Sequence, residues 1–193
     1  MTHRNSNYGM ELSNNNNKIY HINTTEKEVP IDAQNPLIII SILKGSYIFT
    51  ADLIRYFNDV GLPHVVDFVR LSSYNSGTTS TGEIKWYANM KFENLKNKHV
   101  LIVEDVCDSG RTLSYFYNYV LEKYEPKSLK VCVLANKIKS ARKIAFEADF
   151  SVLPTVPNRY IIGYGFEVND RYRDFRHILT LGEGEAGRYP AKL

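Results

Sequence analysis

Three carboxylates and a glycine-containing turn follow one another in one short segment near the middle of the chain. Glu104 and Asp105 come first and Asp108 follows, after the unbroken apolar run 99–103 and before the amphipathic stretch 113–124. The turn between them consists of Ser109, Gly110, Arg111 and Thr112. A glycine turn between a strand and a helix exposes backbone N–H groups and the positive end of the helix dipole. This turn can therefore bind an anion such as a phosphate.

The carboxylates beside the turn would repel a phosphate, so they must serve another part of the same ligand. Sugar hydroxyls and a divalent cation are partners that carboxylates bind. A ligand that combines a phosphate, a ribose and a metal-bound pyrophosphate accounts for every part of this segment.

Segment 104–112, EDVCDSGRT, resembles the phosphoribosyl-diphosphate (PRPP) motif of the type I phosphoribosyltransferases, specifically the hypoxanthine–guanine type. One such motif alone is only moderately specific. Three further segments resemble this family in the same order: LKGSYIFTADLIRYF near residue 43, VDFVRLSSYNSGTTSTGEI from residue 66 and VPNRYIIGYGFEVNDRYRDFRHI from residue 156. The similarity extends from about Asn35 to Leu181, and four collinear segments argue against a chance match.

Apolar runs that alternate with amphipathic stretches predict an α/β fold with a parallel sheet flanked by helices on both faces. Helical periodicity predicts helices over 47–58 and 113–124. Short apolar runs predict strands over 37–42, 65–71, 99–103, 129–135 and 160–164. We expect the active site at the carboxyl ends of the strands. The resemblance implies, in addition, a small hood built from the N-terminal segment and the region near residues 140–180.

Composition is consistent with one compact domain, as the resemblance to an enzyme family implies. Residues 1–18 are polar and rich in asparagine, which predicts a disordered tail, and residues 19–193 are expected to form a single domain. The 193 residues are 44% hydrophobic, which supports a substantial core. A net charge of +3 without a dense Lys/Arg run indicates no nucleic-acid partner. No apolar stretch is long enough to span a membrane, so no membrane partner is predicted.

The resemblance implies roles for the residues of the PRPP motif. Glu104 and Asp105 orient the ribose hydroxyls and, together with Glu167, ligate Mg²⁺. Asp108 is the expected catalytic residue, which accepts a purine proton at N7. The 5′-phosphate is expected to contact Ser109, Gly110, Arg111 and Thr112.

A second anion-binding turn is predicted where Leu43-Lys44-Gly45-Ser46 joins the first strand to a helix. Taken alone, such a turn is more often an ordinary connection with a solvated lysine. The resemblance implies that Lys44 and Gly45 hold pyrophosphate together with Arg173, and that a non-proline cis peptide precedes the lysine. Arg173 as a surface salt-bridge partner is the alternative.

The resemblance also implies a purine site. Lys137 donates to the purine O6, Tyr160 stacks on the base, and main-chain acceptors near Ile161 and Glu167 meet N1–H and any 2-amino group. A lysine at a strand end is otherwise more often solvated, and a tyrosine in an apolar run more often packs in the core. Glu167 stands where the family usually has Asp, so this edge could be shifted enough to admit xanthine.

Residues 72–85 are rich in Ser, Thr and Gly, which is typical of an ordinary surface loop. The alternative is a lid that closes on glycine hinges and shields a cationic sugar from water. The resemblance implies the lid, with Ser73 and Tyr74 as its family-matching pair.

The activity implied by the resemblance is transfer of the 5-phosphoribosyl group from PRPP to N9 of a 6-oxopurine base. The products are pyrophosphate and a nucleoside monophosphate, IMP or GMP. The resemblance also implies a homodimer or homotetramer. A non-catalytic regulatory homologue that senses PRPP or nucleotides is the alternative, and Asp108 and Lys137 weigh against it. A phosphatase on a similar sheet is a further alternative, but it would not explain the glycine turn that follows the carboxylates.

The last three residues, Ala191-Lys192-Leu193, resemble the Ser-Lys-Leu peroxisomal address. A tripeptide matches by chance often, but this one stands at the terminus where a receptor reads such a signal. Both a cytoplasmic location and a peroxisomal or glycosomal one stay open.

Overall fold

The computed structural model describes residues 30–73, 84–88, 90–137, 146–157 and 159–182. Their main strands are β1 (Leu37–Leu43), β2 (His64–Ser73), β3 (Ile84–Ala88), β4 (His99–Cys107), β5 (Ser128–Lys137) and β6 (Phe150–Val156). These strands form one sheet in the order β3-β2-β1-β4-β5-β6. The β2–β3 pair is antiparallel, and the other neighbours pair in parallel. The predicted α/β fold with a largely parallel sheet is confirmed.

Two helices cover opposite faces of this sheet. Helix α2 (Arg111–Tyr124) places Phe116 in the apolar core on one face, and α1 (Tyr47–Asp59) places Phe49 in the core on the other. Consecutive strand residues point to opposite faces, so Ile40 packs in the first core and Ile39 in the second. None of the helices in the described residues combines the length and the apolar character that crossing a membrane requires.

A small antiparallel pair, β7 (Ile161–Ile162) and β8 (Leu179–Thr180), forms a separate sheet in the expected hood region. The prediction of a strand of the main sheet over 160–164 is therefore wrong. The chain turns away after Ile162 because Gly163, Tyr164 and Gly165 all have positive φ, which an extended strand does not allow.

The other predicted elements are present, but several extend beyond their predicted ends. β4 continues through the carboxylates to Cys107, β5 continues to Lys137, and α2 begins at Arg111 instead of residue 113. The edge strands β3 and β6 are absent from the prediction. The N-terminal tail 1–18, the C-terminal tripeptide and lid residues 74–83 lie outside the described residues.

Replacement of Phe116 by Ala should test the packing of α2 on the sheet. Phe116 has no exposed surface and its ring meets that of Phe92 edge-on, with centroids 6.3 Å apart. We expect the free energy of unfolding to fall by about 3–5 kcal/mol because the variant leaves a cavity. Leu121→Ala is a matched control on the same helix, since this side chain is 42% exposed. Urea unfolding that gave equal losses for both variants would contradict the assigned packing.

Candidate active site

A cleft of about 410 Å³ opens at the carboxyl ends of β1 and β4, a size suited to a small ligand. These strands are parallel neighbours at the centre of the sheet, and the helices that follow them lie on opposite faces. A sheet forms a crevice at such a point. The cleft is lined by Ile42, Leu43, Lys44, Gly45, Leu71, Glu104, Asp105, Val106, Thr112, Lys137, Tyr160, Ile161, Phe166, Glu167 and Arg173.

The turn after β1 contains the cis peptide that the resemblance implies, between Leu43 and Lys44. Buried hydroxyl groups support this turn from below. Ser41 Oγ lies 2.7 Å from Ser46 Oγ and 2.8 Å from Thr50 Oγ1, and Ser46 Oγ donates to the carbonyl of Ile42 at 2.5 Å. Because these buried polar groups satisfy one another, they fix the end of β1 to the first turn of α1.

Gly45 is the point where three segments touch. A Cβ atom at Gly45 would collide with the carboxylate of Asp105. A Cβ atom at Gly165, whose φ is +101°, would collide with the carbonyl oxygen of Gly45. Only glycine allows these close approaches. The turn after β1 and the hood therefore lie in direct backbone contact, and the Asp105 carboxylate packs against the same turn.

Glu104 and Asp105 are strand residues, because β4 does not end at Val103 as predicted. Both side chains are half-buried in the cleft. Burial raises the pKa of Glu104, and the adjacent negative charge of Asp105 raises it further. Burial also raises the pKa of Asp105, although hydrogen bonds and the nearby guanidinium of Arg173 oppose this shift. The pair is therefore held in a site that disfavours two negative charges.

The donor set fits Mg²⁺ only in part. Two half-buried carboxylates that repel each other are the kind of site that a divalent cation stabilises, and Mg²⁺ often uses one or two protein carboxylates plus substrate oxygens. Glu167 lines the same cleft, but its carboxylate accepts the N–H of Asp170 and lies 3.5 Å from Arg173 Nη2. Across the described residues, no group of three His, Cys, Asp or Glu side chains could hold a metal ion. The predicted three-carboxylate set is thus not preassembled.

The glycine turn after β4 has the form of an anion site. Gly110 has φ +74° and immediately precedes α2, so Arg111 and Thr112 lie in the first helical turn. Gly110 has no side chain to cap this helix end, and among the described residues Ser109 Oγ accepts only the Arg111 N–H, in a long hydrogen bond. The first N–H groups of the helix can therefore face an anion. Thr112 lines the cleft, and Ser109 Oγ lies 3.4 Å from the amide nitrogen of Arg111.

Asp108 and Lys137 meet at the ends of neighbouring strands. Lys137 Nζ lies 2.9 Å from Asp108 Oδ2, and their side chains are 14% and 53% exposed. The strand register explains the contact, because Cys107 pairs with Asn136, and Asp108 and Lys137 directly follow these two residues. The predicted proton acceptor and the predicted O6 donor therefore form an ion pair.

The hood supplies the remaining predicted residues. Tyr160 is 62% exposed and lines the cleft, so it is not a core tyrosine, whereas Ile161 is buried. Arg173 Nη1 donates to the carbonyl of Gly165 at 2.7 Å. Ser73 is the last residue of β2, and Tyr74 lies outside the described residues.

Asp170 was not identified from the sequence. Its carboxylate lies between Lys44 and Arg173, 3.1 Å from Nζ and 3.2 Å from Nη2. The signal that could have found it is the dipeptide Asn169-Asp170, a turn-forming sequence inside the fourth matching segment.

Comparisons with known proteins agree with this geometry. Residues 11–168 match the family model of the phosphoribosyl transferase domain. Hypoxanthine-guanine phosphoribosyltransferase of Leishmania donovani is 40% identical over 78% of this chain and 70% of its own length. The enzyme of the same name from Crithidia fasciculata is 37% identical over 80% of this chain and 73% of its own length. The structure of Trypanosoma cruzi hypoxanthine phosphoribosyltransferase in complex with the product IMP is similar, with a TM-score of 0.69 and 40% identity, covering 77% of this chain and 76% of that chain.

The raised pKa of Glu104 predicts a pH-dependent effect of Glu104→Gln. The folded protein binds a proton at this carboxyl more readily than the unfolded chain, so ionised Glu104 lowers stability at neutral pH. We expect Glu104→Gln to raise the free energy of unfolding at pH 8 by about 0.5–2 kcal/mol. This gain should vanish as the pH falls below the unfolded-state pKa of Glu.

Urea unfolding at pH 4 and pH 8 measures this difference. Asp149→Asn is the control, and it should lower the free energy of unfolding at pH 8. Asp149 accepts hydrogen bonds from Lys130 Nζ and the Val131 amide, both at 2.8 Å, and the substitution weakens them. A stability loss for Glu104→Gln at pH 8 would show that its ionised carboxylate stabilises the fold.

Proposed function

The chain belongs to the phosphoribosyl transferase family, and from this premise we propose that it transfers the 5-phosphoribosyl group of PRPP to N9 of hypoxanthine or guanine in purine salvage. The relatives' names support a transferase of the 6-oxopurine type. The observation that carries the proposal is the meeting of two anion-binding turns and a carboxylate pair in one crevice, between β1 and β4. Those three features suit the pyrophosphate, 5′-phosphate and ribose of PRPP.

In the proposed reaction, a bond forms between purine N9 and C1′ of the ribose while the bond from C1′ to the pyrophosphate oxygen breaks. The purine loses its N7 proton to Asp108. The turn at Gly110 binds the 5′-phosphate through helix N–H groups, and Lys44 and Arg173 take up the charge of the departing pyrophosphate. The chain's contribution is thus mainly positioning and electrostatic stabilisation.

We propose Mg²⁺ as the cation that Glu104 and Asp105 would hold, with Glu167 joining them only if it leaves Arg173. When bound, the metal neutralises charge on the leaving pyrophosphate. The two strand carboxylates also accept hydrogen bonds from the ribose hydroxyls, which orients C1′ toward the purine.

The Asp108–Lys137 ion pair supports a 6-oxopurine as the acceptor. N7 and O6 lie on the same edge of such a base. A carboxylate and an ammonium group held 2.9 Å apart can meet these neighbouring atoms, the carboxylate at N7–H and the ammonium at O6. Tyr160 has the exposed ring needed to stack on the base. Xanthine also presents an acceptor O6 and stays within the proposed substrate range.

The comparisons do not support a regulatory homologue that only senses nucleotides, because the similar proteins are named as transferases. We also propose that the protein forms a homodimer or homotetramer and that residues 72–85, with Ser73 and Tyr74, form a lid. A further proposal is that Ala191-Lys192-Leu193 is read as a glycosomal address.

Formation of labelled IMP from radiolabelled hypoxanthine and PRPP tests the proposed function directly. Steady-state kinetics with hypoxanthine, guanine, xanthine and adenine then test the purine site. Adenine should be rejected strongly, because its 6-amino group is a donor and would face Lys137, which can only donate. Two buried donors left without an acceptor disfavour adenine strongly relative to the 6-oxopurines. Efficient turnover of adenine would show that the purine-site assignment is wrong.

Lys137→Ala should weaken catalysis with hypoxanthine. We expect kcat/KM to fall. The corresponding loss of transition-state stabilisation should be about 1.5–3 kcal/mol, the range for a hydrogen bond to a charged group. Lys96→Ala is the control, since Lys96 pairs with Glu125 on the exposed surface. Equal kcat/KM values for Lys137→Ala and wild type would remove Lys137 from base recognition.

Asp108→Asn should remove the proton acceptor while keeping the size of the side chain. We expect kcat to fall about 10²–10⁴-fold with little change in PRPP binding. Steady-state kinetics and PRPP titration of the same preparation separate the two effects. Turnover within a few-fold of wild type would exclude Asp108 as the general base.

A further inference from the structure

A single carboxylate oxygen holds the two cations that the proposed function assigns to pyrophosphate. Asp170 Oδ1 lies 3.1 Å from Lys44 Nζ and 3.2 Å from Arg173 Nη2. Lys44 lies in the turn after β1 and Arg173 in the hood, so Asp170 connects two segments that are far apart in the sequence. Arg173 is oriented further by its hydrogen bond to the Gly165 carbonyl at 2.7 Å.

Asp170 occupies a central position of a tight turn. Asn169 and Asp170 have φ values of +55° and +59°, and Val168 and Arg171 exchange backbone hydrogen bonds of 3.1 and 3.3 Å across them. This is the pattern of a type I′ turn, whose central positions are mostly Gly, Asn or Asp. Of these three residue types only Asp carries a charge, so the turn presents a carboxylate to the two cations.

A bound anion in the cleft would compete with Asp170 for the same partners. Both Lys44 and Arg173 line the cleft, and the side chain of Lys44 is 51% exposed. Pyrophosphate carries more negative charge than one carboxylate, so it can draw both cations toward the cleft. Ligand binding would then exchange one set of ion pairs for another.

We propose that Asp170 is a positioning residue, an internal counter-ion that holds Lys44 and Arg173 in the ligand-free enzyme and releases them to pyrophosphate. This inference rests on the proposed function, because it takes Lys44 and Arg173 as pyrophosphate-binding residues. It predicts that the negative charge of Asp170 opposes pyrophosphate binding.

The test is calorimetric titration of inorganic pyrophosphate with MgCl₂ into wild type, Asp170→Asn and Asp170→Gly. Both replacements suit a left-handed backbone, so the turn should be retained even if one variant is less stable. We expect Kd for pyrophosphate to fall about 3- to 30-fold in both variants, because a competing charge is removed. The gain should shrink at high salt, which screens the competing charge.

Two comparisons exclude a merely structural effect. Glu125→Gln removes the same charge from an exposed pair with Lys96, and its Kd should match that of wild type. In a Lys44→Ala background, Asp170→Asn should change Kd much less than in wild type, because one partner of the carboxylate is already absent. Inhibition of the transferase reaction by added pyrophosphate should become stronger in Asp170→Asn.

Unchanged or weaker pyrophosphate binding in both Asp170 variants, with wild-type binding and activity intact, would overturn this inference alone. If wild type formed labelled IMP but did not bind pyrophosphate, the assignment of Lys44 and Arg173 and this inference would fall together. Failure of wild type both to bind pyrophosphate and to form IMP would overturn the proposed function as well.

Discussion

The close contacts at Gly45 are the constraint on which the site depends. Asp105 of β4 lies against one side of this glycine, and the backbone of Gly165 in the hood lies against its carbonyl. Each contact is too close for a Cβ atom. A side chain at Gly165 would push the hood away from the turn after β1, because it would meet backbone, whereas a side chain at Gly45 would displace the Asp105 carboxylate. Main-chain packing therefore sets the separation between this turn and the hood, and the Asp105 carboxylate lies directly against the turn.

Around this point, charges of both signs line one cleft. Glu104 and Asp105 lie half-buried in it, and burial raises the pKa of both carboxyls. Lys137 and Lys44 also line the cleft, and each is paired with a carboxylate, Asp108 and Asp170 respectively. The carboxylate pair favours binding of positive charge, whereas the paired lysines can exchange one anion for another. The proposed ligand, PRPP with a divalent cation, carries both kinds of charge.

The sequence was a good guide to the sheet but a poor guide to its ends. Apolar runs located the central strands because burial on both faces demands uninterrupted apolar residues. The same reasoning ended β4 at Val103, since carboxylates look like loop residues, yet Glu104 and Asp105 continue the strand. Residues 160–164 were apolar enough for a strand of the main sheet. The positive φ values that break this strand depend on packing in the hood, such as the contact of Gly163 with the His177 carbonyl.

The pairing of Asp108 with Lys137 shows how core packing sets the chemistry of the site. The two residues are far apart in the sequence, and they meet because β4 and β5 pair in the register that sets Cys107 beside Asn136. Val131 and Val133 of β5 pack in the core under α2, whereas Cys132 and Leu134 pack on the opposite face. A slip of one residue would exchange these faces and mismatch the side-chain volumes in both cores, so close packing disfavours it. The same slip would part the carboxylate from the ammonium group. The proposed recognition of the purine edge therefore depends on the packing of the strands as much as on the two charged residues.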